Sequence, residues 1–212
     1  MKKVYCAAAV LIGLLLSGCA SMNSLSKEER NSIRTVKVVV EDHPNGLFMY
    51  APLDDLKNAA KVLTSGVTGL MQIEPDSPGE ALLRAHLAKH QIVITDIVAT
   101  EAGKQLQALG FKPVESGADA VLKIDVLGYG FDQARPLSSE LKGAVRLSAN
   151  LYRGDATSLL NRRISFCGVF TDFQSHTTEQ VLADPAIARD QFQRCSAIAF
   201  AEIAKGYGGP GQ

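Results

Sequence analysis

Hydrophobic and polar positions divide the 212-residue chain into regions of different character. Residues 4–16 are apolar apart from one glycine, and residues 20–32 are small, polar and charged without any apolar period. Such a polar stretch predicts a flexible tether, because it cannot bury enough apolar surface to fold. Apolar periods return after it, which predicts one globular domain at 33–205 and a frayed tail at 206–212.

The periods within the domain predict a series of strands and helices. Strands are indicated where β-branched residues cluster or where apolar and polar residues alternate, and helices where apolar residues recur every three or four positions. In chain order the predicted elements are a strand at 33–41, helices at 54–65 and 78–89, a strand at 91–98, a helix at 101–109, strands at 120–131, 144–152 and 159–169, and a helix at 185–205.

Two features of this pattern decide the fold class. Ile92-Val93-Ile94 is a continuous apolar run of the kind found in a strand that is covered on both faces. The three strands between residues 120 and 169 follow one another without a helix, which indicates an antiparallel meander. The sequence therefore predicts an α/β (α+β-like) single domain with a mixed β-sheet flanked by helices and an antiparallel C-terminal meander.

The N-terminal residues have the order of an export signal. A positive Met1-Lys2-Lys3 precedes the apolar stretch, which is shorter than the roughly 20 residues that a membrane-spanning helix needs. The motif Leu16-Ser17-Gly18-Cys19 resembles the lipobox of bacterial lipoproteins. That resemblance implies removal of a signal peptide at 1–18 and lipid on Cys19, which begins a lipidated tether at 19–32. The alternative is an ordinary signal peptide with a chance cysteine.

A lipid anchor would also determine where the protein resides. Each buried methylene contributes about 0.8 kcal/mol, and more than one acyl chain is needed for stable attachment to a bilayer. Ala20 follows the cysteine, at the position where the inner-membrane retention signal of enterobacterial lipoproteins has Asp. By this resemblance, we expect attachment to the outer membrane on its periplasmic face.

Charge and aromatic content exclude some partners. The chain has 22 basic and 22 acidic side chains, and the two lysines of residues 1–18 leave with the signal, so 20 and 22 remain. A near-neutral domain has no general electrostatic attraction to nucleic acid. Tryptophan is absent, so a stacking platform for bases or sugars is not expected. We therefore expect no nucleic-acid partner.

Two cysteines, Cys167 and Cys195, lie in the predicted domain. The periplasm permits disulfides, and a bond between them would close a loop of roughly 30 residues and stabilise the fold by about 3 kcal/mol. Cys167 alternates out of phase with Ile164 and Phe166, so it points away from their face on a regular strand, although a bulge at Gly168 would change this. The sequence leaves a disulfide and two separate buried thiols as alternatives.

The second half of the domain resembles a known kind of envelope protein. Residues 117–126 (GADAVLKIDV) are followed by residues 147–152 (LSANLY) and by Leu159-Leu160. This order resembles the curli-secretion-channel and TolB amino-terminal type of envelope lipoprotein domain, over roughly residues 92–170. The resemblance implies a mixed sheet flanked by helices and a role in envelope assembly or secretion through protein contacts.

No set of residues forms a recognisable catalytic, cofactor or metal motif. His86 and His90 lie four apart on a predicted helix, a spacing at which two imidazoles can bind one metal ion. A metalloprotease helix has Glu beside the first His, where this chain has Leu87, so a solvated helix face is favoured. Arg162-Arg163 could hold an anion, but charges that protect a strand edge are the simpler explanation. We expect no enzymatic activity, no cofactor and no metal.

The sequence thus favours a non-enzymatic lipoprotein that is held to the membrane by its anchor and binds an envelope protein or forms a homo-oligomer. The rival hypothesis is a lipid- or small-molecule-binding accessory lipoprotein of an envelope transport system. A metal-dependent enzyme that uses His86 and His90 is a third hypothesis.

Overall fold

Helices and strands follow the predicted order closely in the computed structural model, which describes residues 24–50, 78–136, 138–154 and 156–208. The helices are α1 (Lys27–Ser32), α2 (Pro78–Lys89), α3 (Ile94–Ala108), α4 (Thr178–Ala183) and α5 (Pro185–Ala204), and a 3-10 turn follows at Lys205–Tyr207. The strands are β1 (Thr35–Asp42), β2 (Leu47–Met49), β3 (Lys112–Pro113), β4 (Ala120–Gln133), β5 (Glu140–Arg153), β6 (Ser158–Cys167) and β7 (His176–Thr177). The predicted helix at 54–65 lies outside the described residues.

The described strands form one mixed sheet in the order β3-β1-β4-β5-β6, in which β2 also pairs with β4 and β7 with β5. Strand β1 is parallel to β3 and β4, whereas β4, β5 and β6 are successive antiparallel neighbours. The predicted fold class is confirmed: the protein has an α/β fold with a single open mixed sheet and an antiparallel meander.

One face of this sheet packs against α3 and α5 and forms the core. The alternation predicted for β5 holds, since its odd-numbered residues point to this face. Phe192 of α5 packs against Phe131 and Tyr129 of β4, with ring centroids 5.4 and 5.8 Å apart. Full burial of each large side chain contributes about 1.5–3 kcal/mol. Directly paired core residues of β4 and β5 are Leu122 with Leu151, Ile124 with Ala149 and Val126 with Leu147.

The predicted strand at 91–98 is wrong, because helix α3 begins at Ile94. Gln91 adopts a left-handed conformation, with φ 52°, that turns the chain between α2 and α3. Ile94 and Val98 are buried on the helix face that packs against the sheet, and Ala102 and Leu106 continue that face at four-residue intervals. A helical stripe at this spacing buries the same apolar residues that a covered strand would. The apolar run therefore belongs to a helical pattern with a period of about 3.6 residues, and not to a strand.

The predicted flexible tether is partly wrong, because its residues 27–32 form helix α1. Ser26 and Glu29 form a capping box at the start of α1. Arg30 donates to the carbonyl of Leu109, and its guanidinium lies 3.7 Å from the centre of the Phe111 ring. A cation over an aromatic face contributes about 0.5–1 kcal/mol at an exposed site. These contacts hold α1 against the end of α3.

The predicted frayed tail is also partly wrong. Gly206 and Tyr207 are buried in the 3-10 turn that follows α5. The N–H of Leu25 donates to the carbonyl of Gly206 at 3.0 Å, and Leu25 itself is buried. The beginning and the end of the described chain are therefore joined on the same side of the domain.

Helix α5 approaches β5 most closely at Gly143. A Cβ on Gly143 would lie 2.7 Å from the Cβ of Gln191, so no larger residue fits there without a shift of the helix. The Gln191 side chain accepts from the N–H of Gly143 at 2.8 Å and donates to the carbonyl of Gln174 at 2.8 Å. The carbonyl oxygen and the NH2 group of this buried amide thus both have a hydrogen-bond partner, as buried polar groups usually do.

Candidate interaction surface

Three large apolar side chains are exposed on or just after β6. The exposed fractions are 52% for Ile164, 51% for Phe166 and 96% for Phe170. Ile164 and Phe166 alternate with Cys167, which is buried against α5, so they point to the face of the sheet opposite the core. We call that face the outer face.

The loop after β6 is held over the outer face. Lys142 of β5 lies on this face, and its Nζ donates to the carbonyl of Thr171 at 2.6 Å and lies 3.5 Å from that of Val169. Thr171 closes a turn by donating to the carbonyl of Gly168. Phe170 lies between the two anchored carbonyls, four residues after Phe166, and lines a second open groove with Val169 and residues 132–136. We refer to Ile164, Phe166 and Phe170 together as the apolar strip.

Gly168 lets the Phe166 ring fold back onto the chain. A Cβ on Gly168 would overlap the far end of that ring, so a side chain there would displace it. Hydrophobic contact between the ring and the backbone of the next turn thus depends on the absence of a side chain at this position.

A disulfide joins Cys167 to Cys195 in the structure, with the two Cα atoms 5.2 Å apart. Both cysteines are buried. The sequence disfavours the disulfide if the face of β6 that carries Ile164 and Phe166 is the buried one, because Cys167 then points away from the core. In the structure Ile164 and Phe166 are exposed, so Cys167 points toward the core and reaches Cys195. The bond connects the last residue of β6 to α5 and fixes the strand immediately before the loop that carries Phe170.

Two arginines lie beside the apolar strip. Arg146 of β5 is directly opposite Phe166 in the strand register, and both line an open groove with Ile164. The Nε of Arg162 donates to the buried Oγ of Ser148 at 2.7 Å, which holds its exposed guanidinium over the outer face. We call Ile164, Phe166, Phe170, Arg146 and Arg162 together the β6 surface.

The β6 surface lies at an open edge of the described sheet. Strand β6 pairs with β5 on one side, and none of the described strands pairs with its other side. The structure places Arg162 and Arg163 on this edge strand, where the sequence suggested that charges protect an edge.

The two histidines on α2 are close together but differ in environment. The rings of His86 and His90 are 4.8 Å apart, and His86 is fully buried. Neither ring nitrogen of His86 has a hydrogen-bond partner among the described residues. Burial lowers the pKa of His86 to about 4, and the positive charges of His90 and Lys89 add to this effect. The predicted solvated helix face is wrong for His86, although it fits the partly exposed His90.

The described residues contain no group of three or more His, Cys, Asp or Glu side chains arranged to hold a metal ion. The pair on α2 therefore has no third ligand of these kinds among them, which a metal site for the third hypothesis would need.

Other candidates have structural partners. The carboxylate of Asp119 accepts from the N–H groups of Arg34 and Thr35 and from the Thr35 hydroxyl, at the start of β1. Gly128-Tyr129-Gly130 lies within β4, where Gly130 lets the backbone of Phe48 in β2 approach; a Cβ there would clash with the Phe48 carbonyl. The glycines do not end the strand, which continues to Gln133.

Cys19, the predicted lipidation site, lies outside the described residues. No helix within the described ranges has both the length and the apolar character to cross a bilayer.

Sequence reasoning did not identify Ile164, Phe166 and Phe170 as candidates for contact. The available signal was the phase of β6 relative to Cys167: if the cysteine is bonded to the long C-terminal helix, its neighbours on either side must face away from that helix. Nothing in the sequence marks Phe170, since exposure of a loop residue depends on where the loop is held.

Comparison with known proteins finds no family model and no curated protein that matches this chain. Solved structures with a similar chain course include a DUF330 family protein from Xanthomonas campestris, at 11% identity over 81% of each chain with a TM-score of 0.42. They also include a PelC dodecamer from Paraburkholderia phytofirmans, at 9% identity over 85% of this chain and 92% of that chain with a TM-score of 0.39. A minor lipoprotein from Acinetobacter baumannii is similar at 11% identity over 82% and 94%, with a TM-score of 0.37.

Proposed function

We propose that this chain is a lipid-anchored protein of the bacterial envelope that acts without catalysis, through contacts of its β6 surface with protein partners. The observation that carries the proposal is the exposed strip of Ile164, Phe166 and Phe170. Exposed apolar groups that are held in place remain unfavourably hydrated until another surface covers them. A strip of this kind on an ordered strand is typical of a contact site.

The order of the strip supports the proposal. Flexible apolar residues on a loop lose conformational entropy when they are bound, whereas residues already fixed lose little. Here the disulfide at Cys167 fixes the end of the strand, and Lys142 fixes the loop that follows. The surface is therefore pre-organised for contact.

In this proposal, lipid on Cys19 attaches the domain to the periplasmic face of the outer membrane. The lipobox-like motif supports the lipidation, and Ala20 supports the choice of membrane. Two or more acyl chains make such attachment effectively permanent.

The rival function is a lipid- or small-molecule-binding accessory subunit of an envelope transporter. That function requires an apolar site that encloses most of its ligand. The grooves beside Phe166 and Phe170 are instead open to solvent. The β6 surface therefore supports a protein contact better than it supports a small-ligand site.

Photo-crosslinking in intact envelopes tests the proposal. A benzophenone amino acid would replace Ile164 or Phe170 in the lipidated chain, with matched positions at the exposed Ile198 and Lys112 on other surfaces. We expect a defined protein adduct from at least one position, strongest at the β6 surface, and its loss with Cys19→Ser. Adducts with lipid alone from every position would contradict the proposal and favour the transporter accessory.

A further inference from the structure

We propose that the β6 surface receives an extended, acidic segment of a partner protein, which adds to the open edge of β6 as a further strand. The inference rests on the proposed function and specifies the chemistry of the partner. Three features carry it: the free edge, the spacing of the exposed side chains and the charge beside them.

The free edge provides backbone hydrogen bonds. Strand β6 has 10 residues, and its edge away from β5 has no partner among the described strands. An edge strand presents N–H and C=O groups that an extended chain can pair with, and many peptide-binding domains use this mode of recognition. The bond from Cys167 to α5 keeps the strand in place, so a bound segment would meet a fixed template.

The exposed side chains provide specificity at alternate positions. Arg162, Ile164 and Phe166 occupy every second position along the chain and share the outer face. A strand added beside them would present its own alternate side chains to the same face, about 5 Å away. The register of β6 is regular from Arg163 to Cys167, so it brings alternate side chains of the partner to Ile164 and Phe166. Arg162 lies at the register shift that precedes this part, and its hydrogen bond to Ser148 keeps it on the same face.

The charge of the edge selects an acidic segment over a second copy of this chain. Arg146 and Arg162 are exposed on the two strands nearest the edge. Acidic side chains lie further from these arginines: Asp125 is on β4 and pairs with Ser148, one strand further from the edge, while Asp132 and Asp172 lie near Phe170 at the end of the surface. A second β6 strand would bring the same arginines together, which is unfavourable, whereas carboxylates in the added strand would be attracted.

The position of the chain's N-terminal segment places the Phe170 end of this surface away from the anchor. Cys19 precedes Leu25 by six residues, which span at most about 20 Å. Leu25 contacts Gly206, and Ser32 contacts Arg153 at the end of β5. The loop with Phe170 is instead near Lys142 at the beginning of β5, and a strand of 14 residues is about 45 Å long. The Phe170 end of the β6 surface thus lies toward the opposite end of the sheet from Ser32, whereas Arg162 lies beside the Ala149 to Leu151 part of β5 and nearer to Ser32. A partner can therefore approach the Phe170 end beyond the membrane-attached end.

Peptide binding to the mature chain with Cys19→Ser tests the inference. The probes are two fluorescein-labelled peptides in which Glu, or Lys in the matched control, alternates with Val and Phe. By fluorescence anisotropy we expect the Glu peptide to bind at least about tenfold more tightly than the Lys peptide, with the difference shrinking as salt rises. Hydrogen exchange should show new protection in β6 when the Glu peptide is bound.

Variants locate the site. Arg162→Glu should remove or reverse the preference for the Glu peptide, and Phe166→Ser should weaken binding by about tenfold. Ile198→Ser and Lys112→Glu, at exposed positions elsewhere, should leave binding unchanged. Circular dichroism of each variant shows whether the fold is retained; if Phe166→Ser does not fold, Phe170→Ser replaces it, because that side chain is almost wholly exposed.

Several results would overturn the inference. They are equal binding of the two peptides, new protection outside β6, a dimer in sedimentation that Arg162→Glu abolishes, or absence of peptide binding together with binding to phosphatidylglycerol vesicles that Arg162→Glu abolishes. If Ile164 or Phe170 crosslinks to an envelope protein while the two peptides bind equally, this inference fails and the proposed function stands. If envelope crosslinks form only from Ile198 or Lys112, both fail. If the crosslinks reach lipid alone, the proposed function fails as well.

Discussion

Asp119 and Thr35 each donate hydrogen bonds to the other at the start of the sheet. Oδ2 of Asp119 accepts from the N–H of Thr35 at 2.8 Å and from its hydroxyl at 2.9 Å, while the N–H of Asp119 donates to the same hydroxyl oxygen at 2.9 Å. The N–H of Arg34 also donates to Oδ2, at 2.9 Å. One carboxylate thereby aligns the first residues of β1 with the first residues of β4.

We predict that Asp119→Asn destabilises the fold in a pH-dependent way. Hydrogen bonds from the N–H groups of Arg34 and Thr35 lower the pKa of Asp119 below its usual value of 3.8. Because the folded-state pKa is depressed, the stabilisation is complete above the unfolded pKa and is lost as pH falls through the folded value. Thermal unfolding should give a lower Tm for Asp119→Asn at neutral pH, and the difference should close in acid. A difference that persists unchanged at pH below about 2 would contradict this account.

We predict that removing the disulfide costs about 3 kcal/mol of unfolding free energy. The bond joins residues 28 apart in sequence, so it restricts a loop of moderate length in the unfolded chain. Urea unfolding of the Cys167→Ala/Cys195→Ala double variant should therefore have a midpoint well below that of the parent. The parent measured with reductant serves as the control, and it should approach the double variant. Identical midpoints with and without reductant would show that the thiols are not bonded in solution.

We predict that Gly143→Ala destabilises the protein by about 1–3 kcal/mol, because the added methyl overlaps Gln191 on α5. Gly103→Ala in α3 is the matched control, since nothing lies within 4 Å of the Cβ it would add. That variant should be neutral or more stable by up to about 1 kcal/mol, because alanine favours a helix over glycine. Chemical denaturation of both variants measures the contrast, and equal effects would mean that the close approach of α5 does not limit residue size.

We predict that stability falls between about pH 6.5 and pH 4 because of His86. Burial is the main cause of its pKa of about 4, the charges of His90 and Lys89 lower the pKa further, and the charge of Asp184 opposes them. The unfolded chain binds a proton at higher pH than the folded chain does, so acidification favours unfolding, by up to about 3 kcal/mol over this range.

A His86→Leu variant should flatten this part of the stability profile. His43→Leu, at an exposed turn, is the matched control and should leave the slope in place. Denaturant unfolding at several pH values between 7 and 4 measures the slope. The same slope in the parent and in His86→Leu would assign the acid sensitivity to other groups.

Much of the fold could be predicted from the sequence because local patterns and tertiary packing agree there. The alternation along β5 and the Asp184-Pro185 start of α5 are examples: in the structure Asp184 accepts from the N–H of Ala186 at 2.9 Å, as an N-cap residue should. By contrast, Ile92-Val93-Ile94 fits either a strand or the edge of a helical stripe. Only packing against the sheet decides between them, so local reasoning gave the wrong element.

The candidate surface was harder to predict than the fold. Ile164 and Phe166 are exposed because α5 covers the other face of β6. Which face α5 covers is decided by tertiary packing and cannot be told from the local sequence. The short strands β2, β3 and β7 were missed for a similar reason, since two or three residues carry no period of their own. Order in α1 comes from Arg30 reaching Phe111, far away in sequence.

The parallel pairing of β1 with β4 has a mechanical consequence. Helix α1 leads directly into β1, whose register with β4 runs from Val36 opposite Ala120 to Asp42 opposite Val126. If the N-terminus is attached to a bilayer and a partner binds near Phe170, as we propose, tension between them would pull along these strands rather than across them. The hydrogen bonds of the ladder would then be loaded in shear and would have to break together, so the domain would resist extension as a stiff link between bilayer and partner.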